Sequence, residues 1–223
     1  MTKKSWIGIG ATALVLALAC ALAWWAYRGV QKRELQQDAV ALVQDSTTRV
    51  REALGLITAG AEARDKLEAH FNALKVSVEK SRALEASLNP ALVQVADAYV
   101  TDVHALLRRQ LATHAAREAV RADIGEINHH LRAAGTRSQE WIRQALVLKQ
   151  RMEKNYFDYR VAAGSLAKSL RALDHTCLAL RPLVPAGLVI DEQLIFATEK
   201  RLHEVNAQFE QQVENARKLP VGN

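Results

Sequence analysis

Glu126-Ile127-Asn128-His129 has the spacing that aims a carboxylate and an imidazole at one point from one face of a helix. Di-iron bundles need two such pairs and two further glutamates on facing helices. This chain has one pair, and the residues expected opposite it are Trp141, Ile142 and Ala145, which cannot ligate. The pair therefore reads as polar surface near a helix–helix turn, with no metal site. Ser77-x-x-Lys80 and Ser165-x-x-Lys168 spell the motif of penicillin-binding enzymes. Those enzymes also need Ser-Asp-Asn and Lys-Thr-Gly elements on a mixed fold. Neither is present, and both matches fall mid-helix. Cys177 sits on an apolar stripe, where a thiol behaves as a small buried hydrophobe. There is no Cys-x-x-Cys-His, no phosphate loop and no dinucleotide fingerprint. No cofactor is expected, and the chain is not read as an enzyme.

Charge is more informative than any catalytic motif. The chain has 223 residues, with 30 Lys+Arg against 24 Asp+Glu. Residues 104–160 hold 11 bases and 6 acids, while residues 28–103 hold 10 and 11, and residues 161–223 hold 7 and 7. From residue 28 onward the positive excess is thus confined to one stretch. Arg108, Arg109, Arg117, Arg121, Arg132, Arg137, Arg143 and Arg151 lead it, with His104, His114, His129 and His130 among them. Two readings stand side by side: a solvated helical surface, or a docking arm for an acidic protein or an anionic envelope component. Such a field steers encounter and orientation, and protonated histidines would strengthen it near pH 6. Nucleic acid is not expected, because no aromatic platform is interleaved among the bases. Phe157 lies off the apolar stripe of its helix, so it either covers a third helix or faces out as a contact residue.

The elements that carry these residues read as helices. Ala and Leu number 38 and 29, and both are strong helix formers. Gly and Pro together number only 14, too few for the turns of an all-β sandwich. From residue 28 the 3.6-residue period is nearly continuous. A first helix carries Leu35, Ala39, Leu42, Val43, Val50, Leu54 and Ile57, and a second carries Leu67, Phe71, Leu74, Val78, Leu84 and Leu88. The two could also form one bent helix. Asn89-Pro90 marks an N-cap and first turn, opening a third helix that runs to about Ala134 and stops at Gly135. Thr136 with Gln139 spells a capping box for the fourth. Its stripe is Trp141, Ala145, Leu148, Met152, Tyr156, Tyr159, Ala163, Leu166, Leu170, Leu173, Cys177 and Leu180, a coiled-coil seam with one stutter. Pro182, Pro185 and Gly187 end it. Asp191 and Glu192 open a fifth helix with Leu202, Val205, Phe209, Val213 and Ala216 inward.

The third and fourth helices are each about 67 Å long and must fold back on each other. Folded about Gly135, residue i faces about residue 271 minus i. Tyr156 and Tyr159 then meet Ala112, Ala115 and Ala116, and Met152 meets Ala119. The expected fold is all-α: an antiparallel bundle of four or five long helices, with residues 104–160 as a protruding coiled-coil hairpin arm.

An anchor is expected before the bundle. Residues 1–5 form a tail, residues 6–27 a transmembrane helix, and residues 28–223 the bundle domain. Trp6 to Tyr27 is uncharged and spans about 33 Å as a helix, close to the thickness of a bilayer's hydrocarbon core. Trp6 at one end, and Trp24, Trp25, Tyr27 and Arg28 at the other, match interfacial belts. Two rivals exist: a cleaved signal peptide with small-x-small sites at residues 17–19 and 21–23, and acylation at Cys20. Apolar sequence runs on past each. Lys3 and Lys4 nearly balance Arg28, Lys32 and Arg33, so topology rests on the commoner bacterial arrangement. That arrangement is single-pass in the inner membrane, with the large domain outside the cytoplasm. The functional expectation is a membrane-anchored, non-enzymatic interaction or scaffold protein of the cell envelope. Its alternative is an extracytoplasmic helical sensor or ligand-binding module with a separate signalling partner. A coiled-coil homo-oligomer is the third reading.

Overall fold

The computed structural model describes residues 3–57, 63–84, 90–132 and 138–219, with side chains described from residue 20 onward, Pro90 excepted. Among these residues there are five α-helices and no strand. They are α1 (Lys3–Gly55), α2 (Ala63–Ala83), α3 (Pro90–Arg132), α4 (Gln139–Leu180) and α5 (Glu192–Arg217). The all-helical expectation holds, and α1 and α2 are separate helices. The sequence features named at Asn89, Gly135, Thr136 and Arg137 lie outside the described residues.

Local chemistry sets the helix starts. Asp191 is extended and its side chain accepts from the Gln193 N–H at 3.2 Å, as the sequence predicts for α5. The fourth helix is capped elsewhere than expected: Ser138, not Thr136, precedes it, and the Ser138 hydroxyl accepts from the Trp141 N–H at 3.1 Å. A single 3-10 turn at Arg181–Leu183 follows α4, and Gly187 takes a positive φ of 85° that other residues rarely adopt. That reversal aims α5 back along α4.

Cross-links between helices define the directions. Thr47 and Tyr99 share a hydrogen bond of 2.7 Å, and Gln110 donates to the Ala53 carbonyl at 2.6 Å, so α1 runs parallel to α3. Asp45–Ser77 and Ser81–Asp97 set α2 antiparallel to both. Thr176–Asp102 and Arg151–Asp123 set α4 antiparallel to α3. Tyr159–Asn206 and Arg217–Glu153 set α5 antiparallel to α4.

The core divides in two. The half nearer the start of α3 is aliphatic, with Leu54, Leu67, Leu74, Leu106, Leu170 and Leu173 fully enclosed. The other half is smaller and aromatic, built on Met152, Tyr156, Tyr159 and Phe209 with Val120 and Ile127. The predicted α4 stripe is buried from Ala145 to Leu180, with Trp141 and Leu148 half-buried at the far end.

Two expectations need correction. The hairpin does not project bare from the shorter helices, because α5 sheathes its outer half. Phe209, Val213 and Ala216 pack there, and the Lys149 ammonium holds the carbonyls of Arg217 and Leu219 at 2.9 and 2.6 Å. The register is also displaced by about one turn from the symmetric fold-back. Arg151 and Asn155 both reach Asp123, and Thr176 reaches Asp102. Of the alanines expected against the tyrosines, Ala116 packs in the aromatic cluster, while Ala112 and Ala115 are exposed.

Candidate interaction surfaces

At the base of the bundle α1 runs on alone. Trp24, Trp25, Tyr27 and Arg28 are all exposed there, Trp25 at 77 %. The Arg28 guanidinium lies 5.1 Å from the Trp24 ring centroid, and the Trp24 and Tyr27 rings are 6.4 Å apart. Gln31 donates to the Tyr27 hydroxyl at 2.6 Å. The result is a small ordered cluster of rings with polar edges, unshielded by any other helix. Trp6 falls within α1, but its side chain lies outside those described. Among the described residues no helix is long and apolar enough to cross a membrane. Most of the stretch expected to do so, residues 6–19, has no described side chains.

The basic stretch resolves into separate fates. Arg117 is a correction: it is 5 % exposed, and its Nη1 donates to the Ile57 carbonyl at 3.3 Å, past the last residue of α1. Burial lowers its pKa. With Gln110 on the Ala53 carbonyl, it adds a donor to the carbonyl end of α1. Arg151 is spent between Asp123, at 2.6 Å, and Glu126. Asp123 is buried and also accepts from Asn155 at 2.6 Å. Arg121 pairs with Glu118 at 2.7 Å and Arg143 with Glu140 at 2.9 Å, each one turn along its own helix. Arg109 is exposed and leans on the Ser165 carbonyl at 3.4 Å. Arg108 and Arg132 are exposed. Arg137 lies outside the described residues. The structure therefore does not gather these arginines on one face.

The histidines are a second correction. His104 stacks on Phe71 at 4.6 Å, and burial together with Arg108, Arg82 and Lys75 lowers its pKa. His114 is buried. His130 stacks on Trp141 at 4.8 Å and donates to its carbonyl at 3.0 Å, clipping α3 to α4. Only His129 of the four is well exposed. His104, whose pKa is lowered, does not add to an acid-strengthened field.

Among the described residues, the motifs singled out in the sequence are occupied by other partners. Glu126 is taken by Arg151, and among the described residues no three His, Cys, Asp or Glu side chains gather as metal ligands. Ser77 donates to Asp45 at 3.2 Å rather than serving a lysine. The Cys177 thiol is enclosed, and burial pushes its pKa up to about 12, which disfavours the thiolate.

Phe157 faces out. It is 66 % exposed, on the side of α4 opposite Met152 and Tyr159. Val161, one turn on, is 54 % exposed, and Gly164 and the side chains of Arg160 and Lys168 are exposed beside them. The sequence reading found Phe157 and missed these neighbours. Their signal was available: positions 154, 157, 161, 164 and 168 share one helix face. It also missed Gln110, Asp123 and Lys149. The first two stand at three- and four-residue steps within the apolar series Tyr99, Val103, Leu106, Val120, Ile127, which marks them as buried. A search of family models, of curated proteins and of solved structures finds no match to this chain.

Proposed function

We propose that this chain is a single-pass, membrane-anchored interaction protein without enzymatic activity, its helical domain held outside the cytoplasm to meet an acidic protein or anionic envelope component. The observation that carries the reading is the N-terminal half of α1. One continuous helix leads from the uncharged stretch into the bundle, and Trp24, Trp25 and Tyr27 stand exposed around it with nothing of the bundle against them. Such rings with polar edges favour a bilayer interface. The test is tryptophan fluorescence of the Trp141→Phe variant in vesicles with brominated acyl chains. Quenching of the remaining indoles is expected, and unquenched emission rejects the anchor. Reporters fused after Asn223 then decide the compartment. Activity inside the cytoplasm rejects the envelope assignment.

A groove favours a second reading, that of a sensor module. About 500 Å³ lies between α1 and α2, lined by Asp38, Asp45, Ser77 and Lys80 with Leu42 and Leu84. Acidic, basic and apolar walls together suit a small amphiphilic or zwitterionic molecule. A thermal-shift screen with amino acids and short peptides tests it, since a ligand of the folded state raises Tm. A flat screen removes this reading.

A further inference from the structure

We propose that the outward face of α4 centred on Phe157 is the docking site for an acidic amphipathic helix of a partner protein, an inference that deepens the interaction reading above and rests on it. Three observations converge. Phe157 and Val161 are large apolar side chains one turn apart, both more than half exposed. Isolated exposed apolar residues are ordinary, but an apolar pair with a polar rim is the form of a contact site.

The rim is basic. Lys154, Arg160 and Lys168 lie within a turn of Phe157 or Gly164. Among the described residues Arg160 and Lys168 make no ion pair. The α4 carboxylates beside Phe157 are occupied: Glu153 is held by Arg217 at 2.6 Å, and Asp158 lies 3.6 Å from Lys154. The open charge beside the apolar centre is therefore positive. A partner presenting an apolar side chain among carboxylates complements it.

Gly164 is the third. It sits mid-helix and exposed, and a Cβ added there would meet nothing within 4 Å. Glycine weakens a helix interior relative to alanine, and no packing or φ requirement explains it here. Its effect is to leave bare backbone beside Val161, where another helix can approach closely.

Other occupants fit less well. Two copies of this face laid together would set Arg160 and Lys168 against the same bases. The bilayer that takes Tyr27 is out of reach. Ile57, Arg117 and Tyr159 line one small cavity, so Phe157 stands level with the end of α1, about 45 Å of helix beyond Tyr27.

The test uses the full chain in nanodiscs of neutral phosphatidylcholine. The probe is a fluorescent helical peptide with a leucine stripe and glutamate elsewhere, compared with its lysine counterpart by anisotropy. The glutamate peptide should bind saturably and weaken as salt rises, and the lysine peptide should not bind. Phe157→Ala should weaken binding by about 10-fold or more, as loss of a central aromatic anchor does. Arg160→Glu with Lys168→Glu should abolish the preference for glutamate. Phe196→Ala is the control, because Phe196 is equally exposed but lies on α5 rather than on this face of α4. Gly164→Ala should weaken binding several-fold while raising Tm by about 2 °C, a pairing that simple damage to the fold does not produce. Equal binding of both peptides overturns the proposal, as does binding untouched by Phe157→Ala. A concentration-dependent dimer that Phe157→Ala dissolves also overturns it, assigning the face to a second copy. A chain that stays outside the nanodisc fails the anchor instead, and the same titration on the free chain still reads the face.

Discussion

The two halves of the α3–α4 hairpin are built on different physics. Where α1 and α2 cover it, the helices meet through Leu54, Leu67, Leu74, Leu106 and Leu170, all enclosed. Where only α5 covers it, the apolar cluster is smaller and centred on Met152 and three aromatic side chains, and charged ties supplement it. Arg151 spans α4 to Asp123 and Glu126 on α3. Arg217 joins α5 to Glu153 at 2.6 Å and lies 5.2 Å from the Tyr156 ring centroid. Lys149 closes the end of α5. A hairpin too long for its neighbours can thus be held straight by polar links where aliphatic surface runs out. Several bases that looked like a docking field are those links.

Deleting the same kind of atom in each half gives the largest test. Leu170→Ala and Met152→Ala both empty fully enclosed sites, which costs about 2–5 kcal/mol in a core. Leu170 should fall near the upper end, because the aliphatic cluster it belongs to draws on all five helices and cannot readily collapse. Met152 should fall near the lower end, because one covering helix can relax inward. Urea unfolding of the two variants measures both. Equal costs would remove the distinction between the halves.

Arg151→Ala comes next. It leaves the Asp123 carboxylate buried with Asn155 alone, at about 1–3 kcal/mol, reduced from the cost of a fully buried pair because Arg151 itself is 45 % exposed. Asp123→Asn in the same chain should recover part of the loss. A double-mutant cycle with no coupling would mean the ion pair does not hold the outer half. Smaller still are Arg117→Met and Lys149→Met, about 1 kcal/mol each, since each removes a cation from the carbonyl end of a helix. Hydrogen exchange should quicken at the amides near residue 55 in the first and near residue 215 in the second. Exchange that quickens everywhere would deny them that local role.

The sequence carries the architecture more clearly than the surface. The α4 seam is readable because apolar side chains repeat at three and four, and every buried member from Ala145 to Leu180 except Ser169 belongs to that stripe. Helix direction follows from short connections. The course of α5 is less readable: its stripe shows that one face is buried but not which half of the hairpin buries it. The arginines are less readable still. Net charge counts Arg108, which faces water, and Arg117, which caps α1 from inside, as equals. What separates them is position within the α3 seam, where Gln110, Arg117 and Asp123 interrupt the apolar series at the same spacing. A polar residue in a seam position predicts a buried tie, and a base off the seam predicts surface.

His104 offers the smallest and most discriminating effect. In the unfolded chain it takes a proton at an ordinary imidazole pKa of about 6.5. In the folded chain, burial and the facing cations Arg108 on α3 and Arg82 and Lys75 on α2 lower that value. Below about pH 6.5 the unfolded state therefore binds more protons than the folded one, and stability falls as pH drops through that range. The fall ends once pH is below the folded pKa. Melting curves between about pH 7.5 and 5.5 should show a lower Tm at the acidic end, with His104→Gln flattening part of the slope. The aliphatic half would then be the acid-sensitive half, although it carries no excess charge. Parallel slopes for the two proteins would show that this stacked imidazole gains its proton as readily folded as unfolded, and the acid response would have to come from elsewhere in the bundle.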